Sequence, residues 1–128
     1  MPKLKPALKF ALSTLFVVAG LNHFISVDFY LNIMPPYLPW PLGLVYLSGI
    51  FEIALGLLLW VPKFTAIAAW GLIVLLIAVF PANLHMALNP QLYPAFSAIS
   101  LWLRLPLQLV LIAWAYWYVP PAARLGSR

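Results

Sequence analysis

LSGIFEIALGLLLW, residues 47–60, is a run of apolar residues interrupted at Ser48 and Glu52. It has the composition of a membrane-spanning helix with one carboxylate near its middle. Counting from Leu42, Glu52 lies about 15 Å along the axis at 1.5 Å per residue, close to the centre of ~30 Å of hydrocarbon. An unpaired charge there costs at least ~2.5–3.5 kcal/mol. Such a residue needs a partner or a water-filled cavity, so Glu52 marks a site.

The rest of the chain agrees with this reading. Charged residues are 7% of the 128 and hydrophobic residues 66%, too few polar groups to cover a soluble surface. Four apolar stretches, roughly 7–25, 42–61, 64–87 and 98–119, each approach the ~20 residues that a span requires. The fold expected is all-α: one domain, residues 1–128, forming a four-helix transmembrane bundle with up-down topology. Residues 26–41 (SVDFYLNIMPPYLPWP) are rich in proline and aromatics and read as an interfacial loop rather than a helix. Val61-Pro62-Lys63 reads as a tight turn, and residues 88–97 as a second proline-containing loop.

The net charge of +5 forms no basic face or stripe, which argues against nucleic acid. Its placement reads as a topology signal instead. Lys3, Lys5, Lys9, Lys63, Arg124 and Arg128 fall on one side of the four spans if the N-terminus is cytoplasmic. The two longer loops then face outward without a lysine or arginine, and both termini are cytoplasmic. The basic N-terminus and Val17-Val18-Ala19 before Gly20 imitate a signal peptide, but an uncleaved first span is expected because it completes the bundle. There is no cysteine, hence no thiolate metal site and no thiol chemistry in the chain itself.

Arg104, within LWLRLPLQLVLIAW (101–114), breaks the basic-residue rule by lying inside a span, ~9 Å deep. It is the expected partner of Glu52, with Gln108 one turn further on. Asn22 and His23 end the first span, and Asn83 and His85 end the third. The outer half of the bundle therefore collects Asn22, His23, Ser48, Glu52, Asn83, His85, Arg104 and Gln108, while the inner half is nearly devoid of polar groups. This predicts a polar pocket open to the outer face, with the two outer loops as its lid. The plainer alternative is that Glu52 and Arg104 only fix helix register, and that the histidines are hydrated interfacial residues. The prolines Pro81 and Pro106 kink their helices, and most tryptophans read as interface anchors.

No GxSxG, P-loop, GxGxxG or HExxH motif is present. Two histidines and a carboxylate at different depths do not suit a metal, and none is expected. His23 and His85, at similar depth on different helices, leave haem ligation as a minor reading.

GLNHFISVDFYLNIMPPYLPWP (20–41), LSGIFEIALGLLLW, VFPANLHMAL (79–88) and LWLRLPLQLVLIAW, in this order and spacing, resemble the DoxX-like small integral membrane proteins. The similarity runs from about Phe16 to Trp117. It implies a four-helix membrane bundle, placed in a bacterial inner membrane, and motif positions at Asn22, His23, Tyr30, Pro35, Pro36, Glu52, Asn83, His85, Arg104 and Gln108. Some relatives are associated with redox systems, including the membrane subunit of a thiosulfate:quinone oxidoreductase, which implies a soluble or membrane oxidoreductase as partner.

The leading expectation is a subunit that binds a quinone or another lipophilic molecule in a redox-linked process. Glu52 would carry the proton, Arg104 would be its counter-ion, and His23 or His85 would donate to the ring. Tyr30, Ser48, Asn83, Gln108 and Asn22 would complete the binding wall. The rival expectations are a small enzyme using Glu52, His23 and His85 for acid–base chemistry on an apolar substrate, isomerase-like, and an assembly subunit with no chemistry.

Overall fold

The computed structural model describes residues 4–119, so Lys3, Arg124 and Arg128 of the charge pattern lie outside the described residues. Five α-helices follow one another: α1 (Leu4–Ile25), α2 (Val27–Ile33), α3 (Pro41–Leu58), α4 (Thr65–Leu88) and α5 (Ala98–Tyr116). Single 3-10 turns occupy Pro62–Phe64 and Pro90–Leu92. Four of the helices are long and apolar enough to cross a membrane, and their outer faces carry exposed Leu47, Ile50, Phe51, Val74, Ile77, Leu103 and Leu107. The chain is a multi-pass membrane protein.

Local chemistry sets the boundaries. Pro62 has no N–H to continue α3, and the Thr65 hydroxyl closes the turn by donating to the carbonyls of Leu59 at 3.0 Å and Val61 at 3.1 Å. Asn89 ends α4, its side-chain amide donating to His85 O at 2.9 Å. Ser97 caps α5 by accepting from Ser100 N at 3.1 Å. One expectation is corrected here. Residues 26–41 are not wholly a loop, because VDFYLNI forms α2. The prolines that argued against helix begin only at Pro35, and Asp28 sits in the first turn, where a carboxylate suits the helix dipole.

α1 and α3 lie close together. Ser13 Oγ donates to Gly56 O at 2.5 Å, and Gly20 faces Gly49 further along, so the paired residues run in opposite directions. A Cβ added at Gly20 would lie 2.7 Å from Gly49 O, and one added at Gly49 would lie 3.0 Å from Gly20 O. Only glycine permits backbones to approach this closely, as small residues do in membrane helix pairs generally. α4 and α5 also run in opposite directions, but they are joined by side chains: Asn83 bonds both Gln108 and Arg104, and Trp70 packs edge-on to Tyr116.

The two pairs meet around Leu12, Phe16, Leu59, Leu72, Leu76, Ala115 and Tyr118, an apolar core at one end of the bundle. That end also holds the start of α1, the turn after α3 and the residues following α5. Tyr118 OH donates to Lys5 O at 3.0 Å, and the Lys5 ammonium lies over the Trp117 and Tyr118 rings. α2 and the segments 34–40 and 89–97 lie at the opposite end. The buried polar network and a cavity belong to that half.

Candidate functional site

The cavity has a volume of about 410 Å³ and takes walls from all five helices. α3 supplies Leu44, Val45, Ser48 and Glu52, spaced at one helical stripe, and α4 supplies Leu75, Ala78, Val79, Ala82, Asn83 and Met86. His23 comes from α1, Tyr30 and Ile33 from α2, and Arg104 from α5. Met34, Pro35 and Leu38 cover one end. Pro35 is fully buried, so the proline segment is packed onto the bundle rather than projecting from it.

Glu52 faces His23: Oε2 stands 3.6 Å from Nε2, with the two side chains 13% and 10% exposed. The other ring nitrogen fixes the tautomer. His23 Nδ1 is 2.8 Å from Ala19 O, and since a carbonyl can only accept, Nδ1 carries the hydrogen. Nε2 therefore points at the carboxylate without a hydrogen in the neutral imidazole. At 3.6 Å this is a contact rather than a hydrogen bond, and it is attractive when a proton resides on either group.

The His23 ring is stacked on Tyr30, centroids 3.9 Å apart and planes at 18°. The Tyr30 hydroxyl accepts from Asn22 Nδ2 at 2.8 Å, which leaves its own hydrogen available to the cavity. Asn22 in turn accepts from Ser26 Oγ at 3.0 Å. Asn22 thus stands behind the wall and orients Tyr30.

Arg104 reaches the cavity from α5. Its Nε donates to Asn83 Oδ1 at 3.3 Å, and its guanidinium lies 5.8 Å from the Phe96 ring centroid. Asn83 Nδ2 donates to Gln108 Oε1 at 2.6 Å, and Gln108 Nε2 donates to Leu76 O. This chain continues past Pro81, which lacks the N–H that would bond the carbonyl four residues earlier. Gln108 donates to the carbonyl of Leu76, one residue before Ile77, whose carbonyl Pro81 leaves free. It is 3% exposed and, like Asn22, orients a wall residue from behind.

Glu52 and Arg104, expected within direct or one-water contact, make no direct ion pair. Among the described residues the carboxylate of Glu52 has His23 as its ion-pair partner, while Arg104 is held by Asn83 and Phe96. Both still line one cavity. The physical reason is the Gly20–Gly49 contact, which brings α1 rather than α5 against the Glu52 face of α3.

His85 is placed elsewhere. Its Nδ1 shares a 3.1 Å hydrogen bond with Tyr93 OH, and its ring meets Tyr37 edge-on at 5.3 Å. Burial, and then the Tyr37 phenol, push the Tyr93 hydroxyl above its ordinary pKa, so that group stays protonated. His85 and His23 do not face each other across the cavity, which removes the arrangement on which haem ligation was considered. Residues 88–97 do not cover the cavity either; the cover comes from α2 and residues 34–38.

Sequence reading did not single out Met34, Ala78, Ala82 or Met86 as wall residues. Ala78 and Ala82 are one turn apart and adjacent to Asn83, a small-residue spacing that would have signalled open space beside a polar group. Tyr93 was missed because its partner is eight residues away across a 3-10 turn.

Residues 12–119 match the family model described as a domain of unknown function (DUF8561). No curated protein and no solved structure matches the chain. The matched segment begins at Leu12 in the apolar core, ends at Val119, and contains every residue that lines the cavity. The chain belongs to the DUF8561 family.

Proposed function

We propose that this protein binds a lipophilic molecule carrying hydrogen-bonding groups, of the quinone class, as part of a redox-linked process in a bacterial inner membrane. One observation carries the reading: a largely apolar cavity of about 410 Å³ lined by polar side chains from all five helices. His23, Tyr30, Ser48, Glu52, Asn83 and Arg104 are the polar residues among its lining. Apolar cavities of this size with few convergent polar groups are the usual make-up of a small-molecule site. A ring with carbonyl oxygens needs hydrogen-bond donors, and the Tyr30 hydroxyl and the Arg104 guanidinium are donors on this lining. Reduction of such a ring takes up protons, and the His23–Glu52 pair is the group able to supply one.

The resemblance to DoxX-like proteins supports the redox context and an oxidoreductase partner. Lys5, Lys9 and Lys63 share one end of the bundle, which supports a cytoplasmic placement of that end and an outward placement of the cavity end. A reporter fused after Arg128 that is active only in the cytoplasm is the expected outcome; activity only on the outer side overturns the orientation.

The test of binding is native purification followed by lipid extraction and mass spectrometry, then titration of the emptied protein with a short-chain benzoquinone. Quenching of tryptophan fluorescence that saturates, and is weakened at least tenfold by Arg104→Leu or Glu52→Leu, is expected. Non-saturating quenching indifferent to both substitutions overturns the proposal. The carboxylate–histidine pair facing an apolar space also favours a second reading, acid–base turnover such as an isomerisation by the chain alone. Conversion of an apolar carbonyl compound without a redox partner would select that reading.

A further inference from the structure

We infer that the cavity is entered from within the membrane, through a gap between α3 and α4, and that its occupant is a membrane-dissolved molecule whose polar head lies inside while its hydrocarbon tail passes out through the gap. The identity of the head rests on the reading above; the route does not.

The geometry begins at the α3–α4 turn. There the helices touch, with Leu55 lying over Gly71: a Cβ added at Gly71 would be 2.6 Å from Leu55 Cδ2. Beyond that contact, the facing residues of both helices line the cavity instead of each other, from Ser48 and Glu52 on α3 to Leu75, Ala78, Val79 and Ala82 on α4. The two helices are therefore in contact near the turn and separated by the cavity further on.

On α4, two stripes can be read. Val74, Ile77, Ala78 and Pro81 are exposed, at the i, i+3, i+4, i+7 spacing of one helix face. Leu75, Ala78, Val79, Ala82, Asn83 and Met86 line the cavity. Ala78 is the residue common to both. The rim between the lipid-facing side and the cavity is thus a single methyl group, where a leucine or phenylalanine would close it. Ala78 lies 13 residues after Thr65, about 20 Å along the axis, well within the span and away from either aqueous surface. The end nearer to water is covered in contrast by Met34, by fully buried Pro35 and by Leu38.

An opening at that depth, bordered by exposed Ile77 and Val74, faces acyl chains. It excludes ions and small polar solutes, which do not dissolve there. It admits a molecule with a head that fits about 410 Å³ and a tail of any length, because the tail need not be enclosed.

The absence of cysteine allows a direct test in proteoliposomes with the full chain carrying Ser48→Cys. The reagents are the membrane-partitioning N-cyclohexylmaleimide and the charged reagent MTSET, present on both faces. Each rate is normalised to that of the same reagent with the protein unfolded in SDS. The expected result is at least tenfold faster normalised modification by the maleimide than by MTSET. Adding Ala78→Trp should slow the maleimide about tenfold, whereas adding Leu38→Trp should change it less than twofold. Where Ala78→Trp does not yield folded protein, Ala78→Phe serves. Faster reaction with MTSET, slowed by Leu38→Trp and not at Ala78, overturns the inference in favour of an aqueous entrance. Protection from both reagents overturns it in favour of a sealed gap, as a second copy seated on α3 and α4 would produce. None of these outcomes depends on quinone binding, so failure of the titration above and failure of the portal are separable.

Discussion

α1 and α3 on one side, and α4 and α5 on the other, solve the same packing problem by different means. The first pair has its backbones pressed together at Gly20 and Gly49, with the Ser13 hydroxyl, the His23–Glu52 contact and the Phe24–Tyr46 stack joining the same two helices. The second pair is bridged by Asn83, Gln108 and Arg104. In lipid there is no hydrophobic drive to bring helices together, so close van der Waals contact and interhelical hydrogen bonds are what remain. The protein uses each in a different place. The glycine contact positions His23 and Glu52; the polar bridge positions Asn83 and Arg104.

Gly20→Leu should break this contrast most severely. Its added carbons meet a backbone carbonyl, which cannot move aside without separating α1 from α3, and no monodisperse folded protein is expected in mild detergent. Leu72→Ala, in the fully buried core where the pairs meet, should cost about 2–5 kcal/mol through lost contacts and a cavity. Steric-trap or mild-SDS unfolding would measure it. A double-mutant cycle of His23→Leu with Glu52→Leu should show coupling of ~1–2 kcal/mol, and the cycle of Arg104→Leu with Glu52→Leu clearly less. The reverse ranking would restore the pair expected from sequence. Asn83→Leu with Gln108→Leu should show coupling nearer ~0.6–1.7 kcal/mol, the range of membrane hydrogen bonds. Gly71→Ala should be the mildest, within about 1 kcal/mol of the parent, since its Cβ meets only the movable end of Leu55. A cost as large as that of Gly20→Leu would show that the two contacts do not differ in kind.

Much of this architecture is legible in the sequence because hydrocarbon thickness constrains it. Spans of about twenty apolar residues, a carboxylate at mid-depth and an arginine within a span can be read without a structure. That His23, Glu52, Asn83 and Arg104 share the outer half of the bundle follows from rise per residue alone. What depth cannot supply is rotation about each helix axis. Glu52 and Arg104 were expected to pair because their depths were compatible, but Gly20 and Gly49 turn the Glu52 face of α3 toward α1. His85 has the depth of a cavity residue and the wrong azimuth, so it meets Tyr93 and Tyr37. α2 was hidden for another reason: four prolines within residues 35–41 dominate the composition of a segment whose first part, VDFYLNI, contains none.

The contact between Tyr118 and Lys5, 113 residues apart in the chain, has a consequence for biogenesis. Spans enter the bilayer in order of synthesis, so α1 must wait there while α3, α4 and α5 are made. Its glycine face finds α3 midway through that wait, but its first turn is fastened only when the residues after α5 arrive. Closure of the bundle is therefore the last event of assembly, and a chain stalled before Tyr118 would hold an α1 still free to be exchanged, extracted or recognised by quality control.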